Sequence, residues 1–279
     1  MPTAAKRLDL DLEDGRSALN SADSGTARYF VLAIGITWLA LLPAVLARLG
    51  VLPGVPDQYM GGAPIAVFGP TIAAVLASRW EAGREGVRAL FRQLRSWTVK
   101  PGWYLLALTL PGLVFAVGRA AYALVPGNVG GPWLYPPTEA QHVAAMLIVP
   151  IGEEIGWRGF ALPRLQRRYG AVKASVILGL LWALWHVPMF LSAGATEASM
   201  LTLVPYFLGA SVLFTWFYNR TGGSLPLAIL LHVGAHLDAP GRGGGGDPTP
   251  LIIMALAMLA LAPLLVFGDR RAFGRPPIS

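Results

Sequence analysis

Cysteine is absent from the 279-residue chain. That excludes disulfides, thiolate metal sites and a cysteine nucleophile, and leaves the redox compartment undetermined. Charge is scarce too: Asp, Glu, Lys and Arg make up 13% of the residues, against roughly 25% in a soluble domain. The N-terminal 27 residues lack the charged-then-apolar order of a signal peptide, so the first apolar run is expected to stay as an anchor. No internal repeat is visible, and no serine or threonine stands out beside a base, which disfavours an acyl-enzyme. The apolar runs do not alternate with polar residues as barrel strands would. What the chain has instead is a 54% hydrophobic composition and a mean hydropathy of +0.55. Its main solvent is lipid.

Eight apolar stretches approach the roughly 20 residues a helix needs to cross a bilayer. They cover about 29–49, 64–78, 103–125, 140–157, 174–193, 201–218, 224–237 and 249–267. The fold class is therefore an all-α polytopic membrane protein of about eight transmembrane helices. Residues 1–27, polar and mixed in charge, read as a disordered cytoplasmic tail, and 269–279 as a second cytoplasmic tail. The net charge of +7 would suit nucleic acid in a soluble protein, but the basic residues sit between apolar runs, where they set orientation. Nucleic acid is excluded as a partner on that ground. Arg79, Arg84, Arg88, Arg92, Arg95 and Lys100 fill the second connection, Arg164, Arg167, Arg168 and Lys173 the fourth, and Arg220 the sixth. Arg270, Arg271 and Arg275 follow the last span, whereas the odd-numbered connections carry only Arg48 and Arg242. This alternation places both termini in the cytoplasm of a cell (inner) membrane. Val87, Leu90, Phe91 and Leu94 fall between the arginines of the second connection, a pattern suited either to an amphipathic helix on an anionic leaflet or to an ordinary loop helix. The glycine run 241–246 reads as a flexible external loop.

Ionisable groups within spans cost on the order of 2.5–3.5 kcal/mol each at mid-helix and persist when paired or used. Three spans carry nearly all of them: Glu153, Glu154 and Arg158 in the fourth, His186 in the fifth, and His232, His236 and Asp238 in the seventh. Arg119, near one end of the third, can snorkel or pair. Successive helix positions differ by about 100°, so Glu153 and Glu154 cannot face one partner. Glu154 and Arg158 are four apart and share a face, which makes them a local ion pair. Glu153 is left without a sequence-local cation, in a position suited to take a proton from water. Gly152, Gly156 and Gly159 give this helix a small-residue surface for close packing. Trp182 lies one turn before His186 and can pack on its imidazole. His232 and His236 project from one helix face and could ligate a divalent metal or donate hydrogen bonds to an oxyanion. Val233 and Gly234 follow His232, so this is not a zincin motif. Asp238, near the span end, reads as an interfacial acid.

In this order, the three blocks resemble the CAAX protease and bacteriocin-processing (CPBP, or Abi) family of intramembrane proteases. That family shows EExxxR, an aromatic-xxx-His block and then HxxxN or a variant. Here they read Glu153-Glu154-xxx-Arg158, Trp182-xxx-His186 and His232-xxx-His236. The similarity covers a motif core of about 140–240 within a membrane domain of 28–268, and the family's eight-span architecture agrees with the count. The resemblance implies an endopeptidase acting on peptide or protein substrates at the lipid bilayer, including lipid-modified ones. It implies that Glu153 activates water, that His186 acts with it, and that His232 and the residue four later stabilise the tetrahedral intermediate. Glu154, Arg158 and Trp182 support them. Trp182 replaces the commoner Phe. His236 replaces the commoner Asn, and unlike an amide it can titrate or ligate metal.

Two cofactor readings follow: none, with Glu153 as the base, or zinc held by Glu153, His186 and His232 with one position left for water. Counted from the span ends, His186 is expected about two turns deeper than Glu153, in a cavity opening toward the cytoplasm. The rival functions are a proton- or ion-coupled transporter, for which no paired halves are visible, and a catalytically silent scaffold such as a bacteriocin-immunity factor.

Overall fold

A computed structural model describes residues 4–126, 139–236 and 248–274. Ten helices follow one another through them: α1 (Ala4–Arg48), α2 (Ala63–Arg92), α3 (Gly102–Ala123), α4 (Ala140–Gly156), α5 (Leu162–Ser192), α6 (Glu197–Leu201), α7 (Leu203–Arg220), α8 (Leu225–His236), α9 (Thr249–Gly268) and α10 (Arg270–Gly274). No strand occurs among the described residues. Lipid offers no partner to a backbone N–H or C=O, so apolar runs satisfy those groups within helices.

Six helical stretches are long and apolar enough to cross a membrane, and they account for seven of the eight predicted spans. The stretch Val143–Ser192 runs for 50 residues and contains both the fourth and fifth spans, divided at Gly170, whose φ of 75° and ψ of 165° leave the helical region. A side chain there would be strained, and glycine lets the chain reverse. The seventh stretch, short already in the sequence, is helical over Leu225–His236. Helix α8 has 12 residues, about 18 Å at 1.5 Å per residue, where about 30 Å of hydrocarbon must be crossed. Helix α1 begins at Ala4, ahead of the first predicted span. Ala4, Ala5, Leu8, Leu10 and Leu12 are favourable helix formers, and a helix already nucleated by the span extends at little cost.

Short side chains let these rods approach closely. A Cβ on Gly156 would lie 2.5 Å from the backbone carbonyl of Pro70, which places α4 directly against α2. Thr71 on α2 donates its hydroxyl to the Gly152 carbonyl of α4 at 2.8 Å, and Trp185 on α5 donates to Thr37 of α1 at 2.7 Å. Such interhelical hydrogen bonds replace the hydrophobic driving force that lipid does not provide.

The even-numbered connections meet at one end of the bundle. Arg164 pairs with Glu81 at 2.7 Å and Arg220 with Asp269 at 2.9 Å. Asn219 donates to Gln166 at 2.8 Å and to the Ala272 carbonyl at 2.7 Å, and Ser224 donates to the Ser96 carbonyl at 2.6 Å. The basic connections predicted to share a side thus form one face.

Candidate active site

Glu153 and Glu154 occupy the last turn of α4, just before a wide π-turn over Trp157–Ala161 whose residues are all buried. As their spacing dictates, the two carboxylates diverge. Glu153, 2% exposed, accepts from the indole N–H of Trp182 at 2.9 Å and of Trp157 at 3.3 Å, both on Oε2. Glu154 accepts on Oε1 from Arg158 at 2.9 Å and faces Nδ1 of His232 at 2.8 Å.

Arg158 is fully buried. Its guanidinium lies between two rings, 4.3 Å from the centroid of Trp182 and 4.2 Å from that of Phe214. This sandwich and the Glu154 ion pair offset the cost of keeping the cation out of water. Among the described residues, Arg158 Nε and Nη2 and Glu154 Oε2 have no hydrogen-bond partner. Arg158 therefore offsets the charge of Glu154, and among the described residues no cation pairs with Glu153.

The histidines approach from two other helices. His186 on α5 stacks on Phe207 of α7 with ring centroids 4.1 Å apart, and its Nδ1 lies 2.9 Å from the Trp182 carbonyl. A carbonyl only accepts, so Nδ1 carries the proton and, in the neutral ring, Nε2 keeps its lone pair. On α8, His232 and His236 stack at 5.0 Å. Glu153, Trp182, His186, His232 and His236 all line one cavity of about 300 Å³, whose remaining walls include Phe207, Phe214 and Met258. Water takes up ~30 Å³ per molecule in the liquid, so a peptide group and several waters fit.

All four residues expected to carry chemistry thus share one cavity with Trp182, and Glu154 and Arg158 lie beside it. One expectation changes in detail. Trp182 is tilted 6.0 Å from the His186 ring, and its main contact is the hydrogen bond to Glu153. Among the described residues no group of three His, Asp or Glu side chains is placed to hold a metal ion. Asp238 and the glycine run lie outside the described residues. The sequence reading passed over Trp157, although its position four residues after Glu153 announces a shared face. Phe207 and Phe214 carried no such signal.

Fold and site together define a polytopic helical membrane protein with a Glu/His cluster enclosed by its helices. Residues 136–237 match the family model described as type II CAAX prenyl endopeptidase, Rce1-like. This segment contains all three motifs. Among curated proteins, CAAX prenyl protease 2 of Methanococcus maripaludis is 27% identical over 136 residues, 46% of this chain. The aligned region covers 50% of that relative's length.

Proposed function

We propose that this protein is an intramembrane CAAX-type endopeptidase that hydrolyses peptide bonds of membrane-associated or lipid-modified substrates. The observation that carries the reading is the division of labour between adjacent carboxylates. Glu154 is held by Arg158 and His232, while Glu153 faces a histidine-lined cavity with only indole N–H groups upon it. The family match and the name of the archaeal relative support the same activity.

In this mechanism both indole donors hold Glu153 Oε2, which leaves Oε1 to accept a proton from water. The His186 Nε2 lone pair orients that water by accepting its second hydrogen. The hydroxide attacks the scissile carbonyl, and the charge that develops on its oxygen is met by N–H donors from His232 and His236. With both ring nitrogens of His232 protonated, Nδ1–H is held by Glu154 and Nε2–H is left to donate. Collapse breaks the C–N bond, and the proton on Glu153 passes to the departing amine. No step is assigned to a metal, because the residues do not form a three-ligand set. Charge on the basic face orients it toward the cytoplasm, with substrates drawn from segments at the membrane.

The test is a survey of peptide termini in membranes carrying wild-type protein or Glu153→Gln. New termini that appear only with wild-type protein support the reading. Identical termini in both membranes contradict it.

A further inference from the structure

A second, larger cavity of about 700 Å³ opens on the basic face, between the outer end of α2, the start of α5 and the turn after α7. It is separate from the carboxylate–histidine cavity, and no step above uses it. Three arginines, Arg92, Arg164 and Arg167, line it against one carboxylate, Glu81.

These arginines are not equivalent. Arg164 is fixed: it pairs with Glu81 at 2.7 Å, donates to the Phe160 carbonyl at 3.0 Å and stacks on the Phe160 ring. Arg92 is exposed and only 3.7 Å from Glu85. Arg167 makes no ion pair or hydrogen bond among the described residues, yet it is near enough to Arg164 for the two charges to repel. An anion bound by both relieves that repulsion.

A neutral donor points to the same ligand. Tyr218 lines the cavity and is only 5% exposed. Its hydroxyl makes no hydrogen bond among the described residues, and it lies within reach of the Arg167 charge. The neighbouring turn keeps the hydroxyl uncovered: a Cβ on Gly223 would lie 3.4 Å from it. A buried, unpartnered hydroxyl beside an unpaired guanidinium is a donor set for a phosphate oxygen.

Placement favours a lipid as the source of that phosphate. At Gly83, with φ of 61°, α2 kinks, and its last turns bear Arg84, Arg88 and Arg92, all exposed. Trp80 and Trp97 are also exposed, at 59% and 51%, as aromatic side chains are at the headgroup level of a bilayer.

We propose that this cavity binds the phosphate of an anionic phospholipid headgroup, held by Arg167, Arg164 and the Tyr218 hydroxyl. The test titrates purified protein in neutral detergent with a fluorescent short-chain phosphatidylglycerol, with the phosphatidylcholine analogue as control. Phosphatidylglycerol should bind about five-fold or more tighter, and Arg167→Gln should remove most of that preference. Tyr218→Phe, which keeps the packed ring, should weaken binding several-fold. Arg168→Gln, a charge change one residue away and outside the cavity, should leave binding unchanged. Competition by millimolar inorganic phosphate would support the site but assign it to free phosphate. Equal binding of both lipids without phosphate competition would overturn the proposal. So would equal weakening by Arg168→Gln, or unchanged binding in both Arg167→Gln and Tyr218→Phe.

Discussion

Replacing Arg158 with Met would keep the packing between Trp182 and Phe214 but leave Glu154 buried with only His232 as a partner. Removing one member of a buried ion pair costs about 3–5 kcal/mol, whereas removing both is often close to neutral. Arg158→Met alone should therefore lower the denaturation midpoint in detergent sharply, and Glu154→Gln with Arg158→Met should recover much of the loss. Trp182→Phe probes the neighbouring carboxylate. It preserves the aromatic contacts but deletes the 2.9 Å donor to Glu153. A hydrogen bond to a charged group contributes about 1.5–3 kcal/mol. Steady-state kinetics should accordingly show kcat about 10- to 100-fold lower with little change in KM. The divergence of Glu153 and Glu154 was legible in the sequence, because helix rotation forces adjacent side chains apart. The His232 contact to Glu154 was not, since nothing in either segment records that α8 packs against α4.

Among the helices, the contact between α4 and α2 is the most sensitive to side-chain volume. Gly156 has no room for a Cβ against Pro70, and it is two residues from Glu154. Gly156→Val should destabilise the protein by at least about 1–3 kcal/mol, the usual cost of overpacking. It should also reduce cleavage by displacing the carboxylates, which a melting curve and an activity assay read separately. Helix positions were largely legible because hydropathy and the lipid requirement coincide. The histidines of α8 lowered its apolar signal. Its short length was legible too, since the apolar stretch covers only about 224–237. The division of the 143–192 stretch depended on a single glycine with positive φ.

For the molecule as a whole, the orientation rests on basic connections that share one face. The absence of cysteine makes this simple to check. Single changes Arg95→Cys, Arg168→Cys and Arg271→Cys should all react with a membrane-impermeant maleimide from the cytoplasmic side, and Leu52→Cys from the other. The assignment of catalysis to side chains alone predicts that purified protein treated with a strong chelator and then desalted retains its cleavage rate. Loss of cleavage restored by zinc would contradict it. The most direct test of the central claim is cleavage of a lipid-modified peptide by purified protein in liposomes, comparing wild type with Glu153→Gln of matched folding. A positioned general base contributes roughly 10²–10⁴-fold, so the variant should lose about a thousand-fold in rate. A variant that cleaves within a few-fold of wild type would contradict the account.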